Sequence, residues 1–154
     1  MSQLADSLDL ADSSADAASR LARCREYLKR SHEWINRYHR SGGSGLRVVQ
    51  CRSIAMDVLV ERLHAIASAR IAEKLGEKVV DVAVIALGGY GRSELCPFSD
   101  IDLMFLYPAR VRSPKFPETQ RLFNDTILYM LWDLNLKVGH STRTTTEAIA
   151  AADK

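Results

Sequence analysis

The chain has 154 residues, of which 47% are hydrophobic and 26% are charged, a balance typical of a globular domain with a core of its own. Its formal net charge of +2 is too small to indicate a nucleic-acid partner, and no apolar run is long enough to indicate a signal segment or a membrane span. Cys24, Cys51 and Cys96 are widely spaced, which argues against a disulfide framework and a zinc site, so we expect reduced thiols in a cytoplasmic protein.

The N-terminal part of the chain predicts a helical lead-in. Residues 1–16 are rich in Ala, Ser and Asp, and this composition predicts a poorly ordered or loosely helical start. Residues 17–40 combine many charges with an imperfect apolar stripe, which predicts an amphipathic helix. The glycines and serines of 41–45 predict a flexible linker. We therefore expect residues 1–45 to precede the main domain.

The main domain is expected over 46–154, truncated at its C-terminal end, and it begins with a second helix. Apolar residues recur at helical spacing from 46 to 75, and Gly76 is suited to end that helix. An aliphatic and β-branched run over 79–87 then predicts a central strand, because strands buried on both faces are continuously apolar.

Glycines follow this strand at once. Gly88, Gly89 and Gly91 occur within four residues, and Arg92 comes next. Glycine admits positive φ and lets backbone N–H groups approach a polyanion closely, while arginine pairs with phosphate oxygens. The spacing matches neither the P-loop nor the Rossmann pattern. An ordinary turn at the end of a strand is therefore the alternative interpretation.

Two acidic residues begin the next apolar run. Asp100 and Asp102 are two apart, so in a strand both carboxylates project to one face and Ile101 to the other. Charge repulsion and burial disfavour such a pair unless a cation joins it, and Mg²⁺ is usually held by one or two carboxylates plus substrate phosphates. The pair alone also fits a capped turn and a solvated strand edge, but the glycines upstream favour a site for Mg²⁺ and a nucleoside triphosphate.

The remaining segments complete an α+β pattern. The proline-rich, basic stretch 108–117 predicts a loop, either a plain surface loop or a contact for an acidic partner or for phosphates. Apolar residues on one side of 118–134 predict a helix, and 136–143 predicts a third strand. Thr144 or Thr145 is expected to cap a final helix. This order of elements predicts a small sheet covered by helices.

These motifs together carry a resemblance to a known family. The segment 87–103, with its Gly-Gly, spacer and Asp-apolar-Asp-apolar pattern, resembles the signature of the DNA polymerase β-type nucleotidyltransferase superfamily. More narrowly, GGYGRSELCPFSDIDL is similar to the block GGYGR-x-EL-x-P-x-SD-x-DL of the PII uridylyltransferase/uridylyl-removing enzyme (GlnD) family. A second block, from LWD to VGHSTRT over 131–144, resembles that family's LWD…VGHS-x-RT segment. The resemblance covers about residues 25–150.

The resemblance implies a polymerase β-like core, a small mixed sheet with flanking helices preceded by N-terminal helices. It also implies transfer of UMP from UTP to a tyrosyl hydroxyl of the PII nitrogen-regulatory protein, with release of pyrophosphate. Asp100 and Asp102 are the expected catalytic residues and ligands of one or two Mg²⁺ ions. The expected nucleotide-binding residues are Gly88, Gly89, Arg92 and Ser99. A non-catalytic nucleotide-binding module, or a transferase with another acceptor, are the alternatives.

The sequence leaves one ligand unnamed. Many polymerase β-type sites use a third carboxylate on a later strand, where this chain has Gly139 and His140. His140 is a candidate for orienting phosphate or acceptor, although a structural role is the more common one, and Arg143 is a candidate phosphate contact. The four histidines form no His-Asp doublet, so we expect the hydrolase half of the family to be absent from this chain, which we interpret as an N-terminal portion of a longer protein.

Overall fold

The computed structural model describes residues 16–76, 81–110 and 113–152, so the expectation for the N-terminal start falls almost entirely outside it. Within the described ranges, five helices flank a three-stranded sheet, which confirms the α+β prediction. None of the helices described is long and apolar enough to cross a membrane. The elements in chain order are α1 (Ala17–Arg40), α2 (Gly45–Leu75), β1 (Ala83–Ala86), α3 (Gly88–Gly91), β2 (Ile101–Tyr107), α4 (Phe116–Asp133), β3 (Val138–Thr144) and α5 (Thr145–Ala152).

Local capping sets the limits of the two long helices. The side chain of Asp16 accepts a hydrogen bond from the backbone N–H of Ser19 at the start of α1, and Ser44 caps α2 in the same way. Such caps satisfy backbone donors that have no partner within the helix. Gly76 ends α2 in the left-handed conformation at φ 66°. The predicted helices over 17–40 and 46–75, and the glycine that closes the second, are confirmed.

The sheet has the order β1-β2-β3, with β1 antiparallel and β3 parallel to the central strand. Within the described residues the first strand begins at Ala83, which pairs with Leu106, later than in the predicted 79–87, of which residues 79–80 lie outside the described ranges. The third strand begins at Val138, two residues later than predicted, because Leu136 still bonds back to Leu131 after α4. Asp102 of β2 pairs with Gly139 of β3 in this register.

Helices cover one face of the sheet. Along β2, Ile101, Leu103, Phe105 and Tyr107 are buried, whereas Asp102 between them is exposed. The ring of Phe105 packs edge-on against Phe123 of α4 at 6.3 Å. The core therefore lies between this face and the helices, and the opposite face of β2 carries the acidic residue.

The chain end adds a short capped helix. Glu147 accepts a hydrogen bond from the backbone N–H of Thr144 at 2.7 Å, and the hydroxyl of Thr144 accepts one from the N–H of Glu147 at 3.3 Å. This reciprocal arrangement is a capping box. It confirms the predicted cap of the last helix.

Candidate active site

The two acidic residues lie where the central strand begins. Asp100 immediately precedes β2, and Asp102 is its second residue. The alternation with buried Ile101 and Leu103 is as predicted. The expected burial of the carboxylates is wrong, since both aspartates are exposed. The reason is that helices cover only the other face of β2, so a hydrated carboxylate pair carries no large desolvation cost here.

Glycines border the Asp102 carboxylate on both sides. A Cβ at Gly88, whose φ is 56°, would lie 3.2 Å from Oδ2 of Asp102. A Cβ at Gly139, the β3 partner in register, would overlap Oδ1 of the same carboxylate. The space beside each oxygen exists because these residues have no side chain. An acid at position 139 would therefore compete with Asp102 for the same volume, which explains why β3 carries no third carboxylate there.

The glycine-rich segment is an ordered single turn of helix rather than a loose turn. The backbone N–H of Leu87 donates to the carbonyl of Asp102 at 2.9 Å, so α3 starts directly beside the acid. Tyr90 of α3 is only 5% exposed, and its hydroxyl donates a 2.7 Å hydrogen bond to Asp57 of α2. Burial and the neighbouring Asp57 raise the pKa of Tyr90, so the hydroxyl stays a donor.

A second bond from α2 holds the far end of this segment. The hydroxyl of Ser53, a residue 1% exposed, accepts from the backbone N–H of Leu95 at 3.2 Å. Ser53 and Asp57 are one turn apart, so one face of α2 fixes the glycine helix and the loop after it. Sequence reasoning missed both residues. No signal in the sequence distinguishes these two residues from the many other polar residues of α2.

The other expected nucleotide-binding residues, Gly89, Arg92 and Ser99, lie on the same segment but have different surroundings. Gly89 and Arg92 lie close together, and the exposed guanidinium of Arg92 pairs with Glu94 at 3.4 Å. Exposed pairs of this kind contribute little, so Arg92 can leave Glu94 for a phosphate. Ser99 is exposed and borders a cavity between α1 and α2, on the helical side of the loop. The structure thus brings Gly88 to Asp102 and places Ser99 at a different border of the site.

The two candidate residues on β3, His140 and Arg143, lie on different faces of the sheet. His140 pairs with Leu103, whose side chain faces the helices, and its ring lies 6.0 Å from that of Trp132. The His140 ring is exposed and lies on the face of the sheet opposite Asp102, so the structure supports its ring contact with Trp132 rather than a contact with a phosphate beside Asp102. Arg143 pairs with Leu106, on the same face as Asp102 but four residues further along the sheet than Gly139. The position of Arg143 is therefore compatible with contact to a part of the substrate that extends along this face, away from Asp102.

The donor set fits a hard divalent cation. Asp100 and Asp102 offer exposed carboxylate oxygens, those of Asp102 on the side of β2 away from the helices, and Mg²⁺ prefers such oxygens together with substrate phosphates and water. The glycines at 88 and 139 leave the Asp102 oxygens unobstructed. In the part of the chain that the structure describes, no group of three or more His, Cys, Asp or Glu side chains could hold a metal. The assignment of Asp100 and Asp102 as metal ligands stays a prediction from the sequence.

The fold and this site define a nucleotidyltransferase domain. The glutamate-ammonia ligase adenylyltransferase (GlnE) family model matches residues 48–124, which contain the glycine segment and both acids. Similar curated proteins include the bifunctional uridylyltransferase/uridylyl-removing enzymes of Rhodospirillum rubrum, 33% identical over 94% of this chain and 16% of that protein, and of Cereibacter sphaeroides, 44% identical over 62% of this chain and 9% of that protein. That of Azospirillum brasilense is 50% identical over 43% of this chain and 6% of its own length.

The chain belongs to the nucleotidyltransferase family that the GlnE model describes, and the curated proteins similar to it include bifunctional uridylyltransferase/uridylyl-removing (GlnD) enzymes. The resemblance read from the two sequence blocks is thereby confirmed. The chain spans less than a fifth of the length of these relatives. No solved structure matches it significantly.

Proposed function

We propose that this domain transfers UMP from UTP to a tyrosyl hydroxyl of the PII nitrogen-regulatory protein and releases pyrophosphate, with Mg²⁺ as cofactor. The observation that carries the proposal is the Asp102 carboxylate, which lies between Gly88 and Gly139 at the start of the glycine helix. Such an arrangement would suit a metal-bound triphosphate, because the Asp102 oxygens lie beside backbone that phosphates can approach closely. The names of the relatives support uridylyl transfer.

The residues of the chain then have distinct roles. Asp100 and Asp102 would hold Mg²⁺, which when bound neutralises phosphate charge and activates the attacking hydroxyl. Backbone N–H groups of Gly88 and Gly89 would contact the triphosphate, with Ser99 contributing a hydroxyl. Arg92 would move from Glu94 to the departing pyrophosphate and stabilise its charge. The hydrogen bond between Tyr90 and Asp57 of α2 would keep this segment fixed during the reaction.

A second candidate is transfer of AMP from ATP. The observation that favours it is the family match itself, because the matched description names an adenylyltransferase. The site residues serve either nucleotide equally, since phosphates and Mg²⁺ are common to both. A nucleotide-binding module without turnover is the remaining alternative, and the exposed pair of acids beside the glycines argues against it, since binding alone does not require them.

The test is transfer of label by the full-length protein. Incubation with PII, Mg²⁺ and α-labelled UTP, ATP or CTP should label PII from UTP and release pyrophosphate. Asp100→Asn and Asp102→Asn should each lower the rate by about a hundredfold or more with unchanged circular dichroism. Asp81→Asn is the matched control, because Asp81 is exposed at the opposite end of the β1–β2 ladder. Full activity in both active-site variants would refute the assignment, and labelling from ATP alone would establish the second candidate.

A further inference from the structure

A groove leads away from the active-site loop along the first helix. Two adjoining cavities of about 560 and 480 Å³ share four lining residues and together form what we call the α1 groove. The shared residues are His32, Asn36, Asn135 and Leu136. One end is bordered by Ser99, the residue before Asp100, and the other extends to Arg25 on α1. Its elongated form suits a segment of polypeptide better than a compact metabolite.

The charged side chains that line the α1 groove are mostly positive. The side chains of Arg25, Lys29, Arg52 and Lys137 line it, and Glu33 is the one acidic residue among its lining residues. Nε of Arg52 is buried and has no hydrogen-bond partner among the described residues. The guanidinium of Arg52 lines the larger cavity, so its positive charge would attract a carboxylate in the groove.

The catalytic end of the groove offers apolar contacts as well. The side chains of Ile35, Met56, Leu95 and Ile101 line the larger cavity and are each at most 5% exposed. At its border Phe98 is 96% exposed and adopts a φ of 68°, a conformation that non-glycine residues rarely hold. An exposed aromatic ring held in a strained backbone two residues before Asp100 is typical of a contact residue for a partner.

We propose that the α1 groove, which ends at the loop before Asp100, binds an acidic segment of the acceptor polypeptide and so holds the acceptor next to the catalytic segment. Charge complementarity supports this choice of partner, and the exposed ring of Phe98 provides an apolar contact at the catalytic end. Nucleic acid fits less well, because the described lining has one exposed aromatic ring rather than a series on which bases stack. The inference rests on the proposed transfer reaction and adds the recognition of its acceptor.

The first test separates acceptor binding from nucleotide binding. Lys29→Glu combined with Lys137→Glu reverses two exposed charges in the groove without touching the buried core. In the full-length protein this variant should raise KM for PII by about tenfold and leave KM for UTP unchanged. Arg62→Glu with Lys74→Glu is the matched control, because it changes the net charge equally on the exposed surface of α2 outside the groove. Equal KM values for PII in the two double variants would overturn the proposal.

The second test does not require turnover. A short fluorescein-labelled peptide of glutamates around one tyrosine is titrated with the full-length protein, without nucleotide, and its anisotropy is followed. Binding should be lost in the Lys29→Glu, Lys137→Glu variant and retained in Asp102→Asn. This result would uphold the groove even if the protein transferred no nucleotide. Equal peptide affinity in the groove variant and its control, or tighter binding of a single-stranded oligonucleotide than of the peptide, would overturn it.

Discussion

The carboxylate of Asp102 occupies space that exists because Gly139 has no side chain. The two residues are paired in register between β2 and β3, and a Cβ at position 139 would overlap Oδ1 of the aspartate. Gly139 thus determines where the Asp102 carboxylate can lie, although glycine has no side chain with which to make a polar contact. The same relationship explains why a third carboxylate does not occupy this point of β3.

The first prediction concerns this pair. Gly139→Ala should force the Asp102 carboxylate out of its position and lower the rate of nucleotide transfer by about a hundredfold, because misplacement by about an ångström is enough for such a loss. The fold should survive, since the carboxylate can rotate towards solvent. Initial rates with UTP and PII, together with thermal unfolding, measure the two effects.

Gly45→Ala is the control for this substitution. A Cβ at Gly45 meets nothing within 4 Å, and the residue is the first of α2. Its rate should match that of the unaltered protein. A Gly139→Ala variant with the activity of this control would show that the space beside Asp102 is not required.

The second prediction concerns the bond between α2 and the glycine helix. Tyr90→Phe removes the hydroxyl that donates to Asp57 and should lower the free energy of unfolding by about 1 kcal/mol, since the exposed Asp57 regains water. It should also raise KM for UTP, because α3 is then less firmly held beside the phosphates. Urea denaturation and steady-state kinetics measure these changes. Tyr129→Phe, at a ring that is 57% exposed, should alter neither, and equal behaviour of the two variants would contradict the positioning role.

Much of this site follows from local sequence. The alternation of Ile101, Asp102 and Leu103 fixes which way the acid points, because side chains in a strand alternate between faces. The glycine at 88 directly after an apolar strand likewise indicates a close approach of backbone. These features depend on neighbouring residues only, so the pattern of the chain was sufficient to predict them.

Contacts between residues that are distant in the chain could not be predicted from the sequence. A shift of one residue in the β2–β3 register would place Val138 or His140 opposite Asp102 instead of Gly139, and periodicity alone does not specify that register. The bond from Tyr90 to Asp57 spans 33 residues and depends on how α2 packs against the sheet. The exposure of both carboxylates was also missed, because an apolar strand does not reveal which of its faces is covered.

The third prediction is a dependence of stability on pH through His32. His32 is exposed at the groove, where partial loss of contact with water and the positive charge of Arg52 lower its pKa in the folded protein. The folded state therefore binds fewer protons than the unfolded state as the pH falls through the ordinary histidine pKa of about 6.5. This difference removes stability as the solution becomes more acidic, until the folded His32 is itself protonated.

His32→Gln should accordingly reduce the slope of unfolding free energy against pH between about pH 7.5 and pH 5.5. Chemical denaturation at a series of pH values measures this slope. His39→Gln is the control, because His39 lies on the same helix but does not line the α1 groove beside Arg52. Identical slopes in the two variants would show that His32 does not contribute.

The fourth prediction concerns the order in which the thiols react. Cys24 is fully buried, and burial raises the pKa of its thiol to about 11, whereas Cys96 is exposed on the active-site loop. Because the thiolate is the reactive form, iodoacetamide should modify Cys96 in the native protein and reach Cys24 only after unfolding. Mass spectrometry of peptides sampled over time, in buffer and in denaturing urea, measures both rates. Equal labelling of the two cysteines in buffer would place α1 away from the core, against the packing of Cys24 with Leu59 and Leu63 in one buried cluster.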